Sequence, residues 1–551
     1  MTNTKLGQAL DEKLQNLDLE RVEVATQQLA KSKSLPYAKI GLTPINPEAL
    51  KLLPLERVLA VQAAPLSRIG KQLRLATLNP DNPGLATLKK ELADQGYSVE
   101  LVVVSPTGWQ EIIAAYQKLD LTTTTALGAV AIDEKTITAL QESITDIKAL
   151  GEKITATTTS SQLLELLMAG AIKLDASDIH TEPTEQSVRI RYRLDGMLHD
   201  IGELAKDNYH SLLDRVKINA GLKINIHEAP QDGRFTVNFT ATAIEIRTSV
   251  LPGAYGENIV MRLLNPKAVR HEIKDLGLNA EQLKTITGLL EKTTGAILTT
   301  GPTGSGKTTS LYAFLNSVNK PDIKIITIED PVEYHLPGIS QTQVNDEKGY
   351  SFASGLRSIV RQDPDVILVG EIRDRETAEI AMQASLTGHL VLSTLHTNDA
   401  AGAIPRLLDL GVHPETIGPA LNAVLAQRLV RRLCDKCKQK KTITPEDYMA
   451  IKNGLAQIGK AEGLPAFSEG SEVFYPVGCA ECNFTGFKGR IAIFEIFLVD
   501  EAMEKLIMQT PITATILEQA IKQGMLTMAQ DGFIKVLAGI TTVAEVERVV
   551  A

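Results

Sequence analysis

The spacing of apolar and polar positions changes several times along the chain. Residues 1–33 are polar with helical spacing. From about Leu35 to Leu119 a small α/β unit is predicted. The short apolar runs Val58–Ala64, Leu73–Leu78 and Val99–Val104 read as strands. Leu85, Leu88 and Leu92 within Pro83–Gly96, and then Trp109–Leu119, have helical spacing. Thr122–Thr125 break the pattern and predict a linker over 121–157 that includes a charged helix. The run Thr157–Thr159 with Ser160 and Ser161 opens the next unit, and equally could cap a helix beginning at Gln162. Over 158–265 helix and strand alternate, with strands expected at Ser187–Leu194, Phe235–Asn238 and Ala243–Val250. Over 266–551 the order strand, glycine loop, helix recurs, which is how a parallel sheet wrapped by helices reads in sequence.

Composition narrows the class. A chain of 551 residues exceeds one compact domain, and 44% hydrophobic with 22% charged residues excludes global disorder. Aromatics are only 4%, so Leu, Ile, Val and Ala must fill the cores. A net charge of −9 argues against nucleic acid as main partner, which would demand a basic surface. No apolar run approaches the length of a membrane span, and the charged N-terminal stretch has no signal-peptide core. A cytoplasmic protein is expected, peripherally associated with the inner membrane only through partners.

Gly295–Thr309 reads strand, glycine turn, helix start. Gly301, Pro302, Thr303, Gly304, Ser305, Gly306, Lys307, Thr308 and Thr309 satisfy GxxxxGK[ST] in the context that motif requires. Glycines there let backbone N–H groups converge on phosphate oxygens at a helix N-terminus. Lys307 is expected to reach the β/γ-phosphates and the Thr308 hydroxyl to ligate Mg²⁺. Asn319-Lys-Pro-Asp322 spells a guanine-recognition NKxD, but it falls before the second strand. It reads as a helix-ending turn, and adenine is the expected base.

Three further apolar strands end in polar residues, at the sheet edge where open α/β folds bind ligands. Lys324–Ile328 leads into Glu329-Asp-Pro-Val-Glu333, Val366–Val369 into Gly370-Glu371-Ile-Arg-Asp374, and His389–Leu395 into His396-Thr397. Carboxylates so placed can hold hydrated Mg²⁺ or orient a water. Together GPTGSGKTT, TIEDPVEY, RQDPDVILVGEIRD and TGHLVLSTLHTND resemble the four nucleotide-site boxes of the type II secretion and type IV pilus assembly ATPase family, the GspE/PilB type. Ala176–Pro183, Arg189–Gly196, Gln231–Arg234 and Gly256–Arg262 resemble that family's second N-terminal domain. The resemblance spans about residues 30–551. It implies a RecA-like fold and a homo-hexamer that hydrolyses ATP to ADP and phosphate. On the same resemblance, the hexamer would drive pilus or pseudopilus assembly through inner-membrane platform proteins. It further implies that Glu333 activates water, Glu371 is the Walker B acid near Mg²⁺, and His389 with His396 sense the γ-phosphate. Arg191, Arg193, Arg234, Arg247 and Arg262 become candidates for charge donated to a nucleotide, some across a subunit boundary. A RecA-fold nucleic-acid motor is the alternative, disfavoured by the acidic charge and low aromatic content. A catalytically dead scaffold is disfavoured by the presence of Lys307, Glu333 and Glu371.

Cys434, Cys437, Cys479 and Cys482 are all the cysteines of the chain, in the pattern C-x2-C-x41-C-x2-C. Two such knuckles suit tetrahedral Zn²⁺ with no open position, a structural site. Lys436, Lys438, Lys440 and Lys441 are expected to favour the thiolates, and the residues between the pairs to fold back as an excursion over about 430–490. The resemblance agrees, since assembly ATPases carry this element followed by a TGYxGR-like segment, here Thr485-Gly-Phe-Lys-Gly-Arg490. Retraction ATPases lack it, which favours assembly or secretion. Because the phosphate loop is built on different strands, ATP binding is expected to survive loss of the metal. Ser34–Ala38 onward, with Ala76–Pro80, resembles the family's small platform-docking domain, expected over 1–120. Lys5–Leu10 resembles one copy of a cyclic di-GMP-binding repeat, with no second copy.

Overall fold

The structure is a computed structural model that describes residues 21–40, 45–50, 52–69, 71–94, 96–120, 129–131, 140, 143–144, 146–157, 159–239, 242–264, 272–456, 467–509 and 511–550. Lys5–Leu10 and Thr122–Thr125 lie outside these. The chain divides into two compact units, Met1–Ala126 and Leu127–Ala551.

In the first unit β1 (Ala63–Ile69), β2 (Gln72–Thr77) and β3 (Ser98–Val103) form a sheet in that order, the first pair antiparallel and the second parallel. The helices Gly84–Asp94 and Pro106–Asp120 fall where the spacing placed them. The run Val58–Ala64 does not form the expected strand. Leu55–Val61 is helical, with Val58 buried, and Gln62 takes a left-handed cap at φ 53° that ends the helix. A short apolar run fits either a strand or a buried helix turn, and here the helix prevails up to Ala63.

The second unit opens with a sheet built from β4 (Ala129–Ala131), β5 (Asp178–Pro183), β6 (Val188–Leu194), β7 (Met197–Leu204), β8 (Gln231–Phe239), β9 (Thr242–Gly253) and β10 (Gly256–Leu264). Its order is β4-β8-β9-β10-β5-β6-β7. Strict alternation sets its faces. Val188, Ile190, Tyr192 and Leu194 of β6 are buried in one core with the helices Ser160–Lys173 and Lys206–Asn219, while Arg189, Arg191 and Arg193 point to the other face. The expected linker over 121–157 requires correction. Ala129–Ala131 pairs with β8, and the helix Ile147–Ala156 is clamped onto β7. At Gly151 a Cβ would sit 2.1 Å from the carbonyl oxygen of Ile201, so only glycine permits that approach.

The remaining residues build the larger core. Here β11 (Gly295–Thr300), β12 (Ile325–Glu329), β13 (Ser340–Gln343), β14 (Val366–Val369), β15 (Leu390–Leu395), β16 (Leu421–Leu433) and β19 (Phe487–Leu498) form a sheet in the order β13-β12-β14-β15-β11-β16-β19. All neighbours are parallel except β16 and β19. The strands β11, β12, β14 and β15 are buried throughout, as expected for a parallel sheet covered by helices on both faces. Between β16 and β19 the chain leaves the sheet as a hairpin, β17 (Gln439–Thr442) with β18 (Glu472–Tyr475), and a helix, Pro445–Leu455. Ile443, Ile451, Leu455 and Val473 of this excursion share a small core with Phe533, Val536, Val543 and Val546. The expected fold-back thus has its own apolar support.

Candidate active site

The C-terminal ends of β11, β15, β14 and β12 lie side by side, and each supplies a polar group to one cavity of about 490 Å³. Lining it are Thr303, Gly304, Gly306, Lys307, Thr308, Thr309, Glu333, Glu371 and His396, with Tyr312, Arg262, Arg373 and Arg490. After β11 the chain turns through Gly301 at φ 143° and enters the helix Lys307–Val318 from Gly306. A Cβ on Gly301 would meet the Gln427 carbonyl oxygen at 2.5 Å and Ser305 Oγ at 2.7 Å, so the loop closes only with glycine. Gln427, buried on β16, accepts from Ser310 Oγ at 2.8 Å and backs the helix. Lys307 Nζ donates to the carbonyls of Gly301 and Pro302 at 2.8 and 3.1 Å. Burial holds its pKa below the usual lysine range and nearby Arg428 adds to this, against the pull of Glu371. Ser305 Oγ is buried without a partner among the described residues. A glycine cradle, a half-buried ammonium and an unengaged hydroxyl fit a polyphosphate.

Glu371, its side chain 13% exposed, receives Arg373 at 2.6 Å and His396 Nε2 at 3.1 Å. Glu333 receives Arg247 Nη1 at 2.7 Å, and Arg247 also donates to the Val332 carbonyl at 2.9 Å. The two acids and His396 therefore meet as the spacing predicted. His389 does not join them. It precedes β15, where Nδ1 lies 3.0 Å from the carbonyl oxygen of Ala384, while His396 follows the strand. A six-residue strand separates the two by about 20 Å, so they sit at opposite edges of the sheet.

The arginines also sort by register. Arg193, Asp178, Arg262, Arg247 and Arg234 stand directly opposite one another across β6, β5, β10, β9 and β8. Three of these neighbours carry like charge, which a sheet ordinarily disfavours. Arg262 and Arg247 reach the cavity or its acid, as described. Arg191 and Arg193, expected at the nucleotide, are held instead by Glu182 and Asp178 on β5, the latter at 3.2 Å. Arg234 is 75% exposed with Glu245 at 3.9 Å, and lines a neighbouring cavity with Glu333. Sequence reasoning also left Tyr312 and Arg373 unassigned. Arg373 lies in a quoted box two residues from Glu371, whereas Tyr312 reads as a core residue of its helix.

The four cysteine sulfurs converge to within 4.8 Å of one another. Cys434–Cys479, Cys437–Cys482 and Cys479–Cys482 are 3.9, 3.8 and 3.8 Å apart. Tetrahedral Zn–S bonds of about 2.3 Å require sulfur separations of about 3.8 Å, so the cluster fits zinc. Two of the flanking lysines are engaged elsewhere, Lys438 with Asp435 and the Gly539 carbonyl and Lys440 with Glu472. Backbone N–H groups serve the sulfurs instead. Burial acts to raise the Cys482 thiol, but the N–H groups of Cys479 and Gly486, with the neighbouring Cys437 and Cys479 thiols, bring it down to about 7, whereas burial pushes Cys434 up to about 11 and also raises Cys437.

Residues 155–548 match the model of the family described as Type II/IV secretion system protein. The chain belongs to that family. A further model, the MshEN domain, matches residues 34–123. The type II secretion system protein E of Aeromonas hydrophila is 45% identical over 388 residues, covering 70% of this chain and 75% of the relative. The type IV pilus assembly ATPase PilB of Myxococcus xanthus is 37% identical over 524 residues, covering 95% and 90%. The X-ray structure of the Legionella pneumophila ATPase DotB shares the fold, with a TM-score of 0.52 at 20% identity over 71% of this chain and 96% of that one. As a Type II/IV secretion family member with its phosphate loop in place, the chain is an ATPase.

Proposed function

We propose that this protein is a Mg²⁺-dependent motor ATPase, working as a homo-hexamer, that drives assembly of a type IV pilus or a type II secretion pseudopilus through inner-membrane platform proteins. One observation carries the reading: Lys307, Thr308, Glu333, Glu371 and His396 face a single cavity in a chain of this family. ATP is the substrate, with its phosphates on the loop 301–309. Lys307 exchanges its carbonyl contacts for β/γ oxygens. Thr308 and Glu371 would hold Mg²⁺, whose chemistry is neutralisation of phosphate charge. Glu333 orients the attacking water once Arg247 turns from it to developing phosphate charge, and His396 sits where it can follow the γ-phosphate. Cys434, Cys437, Cys479 and Cys482 would hold a structural Zn²⁺. The N-terminal domain over 1–120, within the first unit, serves as the platform-docking domain. Among the described residues no helix is long and apolar enough to cross a membrane, which agrees with attachment through partners. Lys307→Ala tests the site. Nucleotide binding and turnover should both be lost, and a near-wild-type rate would refute it.

A further inference from the structure

Tyr312 lies on the phosphate-loop helix five residues beyond Lys307, and its ring is 3% exposed. Its hydroxyl stands at the centre of a polar network at the end of β12. It donates to Glu329 Oε2 and accepts the backbone N–H of Glu333 at 3.3 Å. Glu329, 3% exposed, takes Thr327 Oγ1 at 2.5 Å and Gln341 Nε2 at 3.2 Å on its other oxygen. Gln341 in turn donates to the Tyr334 carbonyl at 3.0 Å and accepts the Leu336 N–H at 2.7 Å.

A phenol has one proton to donate. The buried Glu329 carboxylate accepts that proton's bond, so the Tyr312 oxygen is left to accept from Glu333. Burial, and the charge of Glu329 beside it, raise the phenol's pKa far above its ordinary value, so the donor is permanent. The segment bearing Glu333 is half-buried, and on its far side Arg247 pairs with the Glu333 carboxylate at 2.7 Å and donates to the Val332 carbonyl at 2.9 Å. From the side of the phosphate loop, the hydroxyl of Tyr312 is what grips its backbone.

We propose that Tyr312 is a positioning residue for Glu333: its hydroxyl fixes the Glu333 backbone to the helix that begins at the phosphate loop, so that phosphate binding and placement of the base move together. This rests on the reading of Glu333 as the water-orienting group. The ring fills the core in either case, so the hydroxyl alone is at issue.

The test is a cycle on the full-length chain, with Tyr312→Phe, Glu333→Gln and the double variant, plus Thr327→Val as control. Steady-state ATPase rates and the affinity for a fluorescent ATP analogue are measured on each. Tyr312→Phe should lower kcat about tenfold, the effect of one hydrogen bond, with KM and analogue affinity within about twofold of wild type. Thr327→Val removes a donor from the same carboxylate without touching the Glu333 contact, and should keep kcat within about twofold of wild type. Added to Glu333→Gln, Tyr312→Phe should cause no further loss. The proposal is overturned if the two losses multiply, if KM rises while kcat holds, if Thr327→Val costs as much, or if Tyr312→Phe is silent. A wild-type rate in Glu333→Gln instead overturns the reading of the base, and the positioning role with it.

Discussion

Removing one of the four clustered cysteines is the most informative perturbation, because the structure joins the cysteine cluster to the nucleotide cavity. Cys434 N–H donates to the Gly486 carbonyl at 3.0 Å, and β19 starts at the next residue, Phe487. Arg490 lines the nucleotide cavity only three residues further on, about 10 Å along the strand. β19 pairs with β16, and β16 pairs directly with β11, which leads into the phosphate loop. A continuous path of strand pairing therefore connects the cysteine element to the phosphate loop. Four thiolates on zinc contribute roughly 10–16 kcal/mol in small domains. That matches the whole stability of a typical domain, about 5–15 kcal/mol, so loss of the metal should loosen the knuckles even though the excursion beside them keeps its apolar core. Fraying of Phe487–Arg490 would remove one guanidinium from the cavity, and a charge-assisted bond is worth about 1.5–3 kcal/mol. Cys482→Ser should thus lack zinc by elemental analysis, melt earlier, and bind ATP roughly 10- to 100-fold more weakly by fluorescence titration. Zinc-free protein with unchanged melting and ATP affinity would refute the coupling.

Two other predictions use buried charge. Glu371→Gln should keep ATP affinity within about threefold while turnover falls at least about a hundredfold, because only charge opposite the phosphates is removed; equal losses in binding and turnover by titration and rate assay would contradict the role. Glu545 is 4% exposed, and although burial works to raise it, Arg431 and Arg548 hold it down at about 2 against an ordinary 4.5. The depressed value contributes about 3 kcal/mol above pH 4.5 and loses it as pH falls through about 2, so Glu545→Gln should cost about that much at pH 7 and progressively less below pH 4.5, as read by denaturant unfolding.

What the sequence reveals depends on whether a feature is local. Val366–Val369 forms as the apolar run predicts, and the phosphate loop and cysteine pairs are legible because each is a contiguous motif with fixed chemistry. Register is not contiguous. Nothing in the order of residues says that Glu182 and Asp178 pair with Arg191 and Arg193, so the arginines bound for the cavity could not be told from those held by neighbours. A one-residue shift would exchange the two faces of β6. His389 and His396 illustrate the same limit, since seven positions apart on a strand is far apart in space. Tyr312 has helical spacing among Leu311, Phe314 and Leu315, and its hydroxyl contacts appear only once β12 is placed beside its helix.

The strand β16 connects the phosphate-loop helix to the cysteine element through a run of packed contacts. Gln427 on it backs the phosphate-loop helix through Ser310. Four residues on, Arg431 stacks 4.1 Å from the Phe487 ring and pairs with Glu545 at 2.6 Å. Three residues further stands Cys434. Each contact is buried or partly buried, so a displacement of the helix at Gln427 cannot be absorbed by solvent between these points. The far end is tied as well: Gly489 N–H donates to Asp195 Oδ2 at 3.0 Å, in the turn between β6 and β7. The preceding domain is thereby held at two places, by Arg247 at Glu333 and by Asp195 at Gly489. One contact lies at the phosphate side and the other beside the metal element. A ligand that drew Arg247 away from both Glu333 and the Val332 carbonyl would leave the contact between Asp195 and Gly489 in place beside the cysteine element.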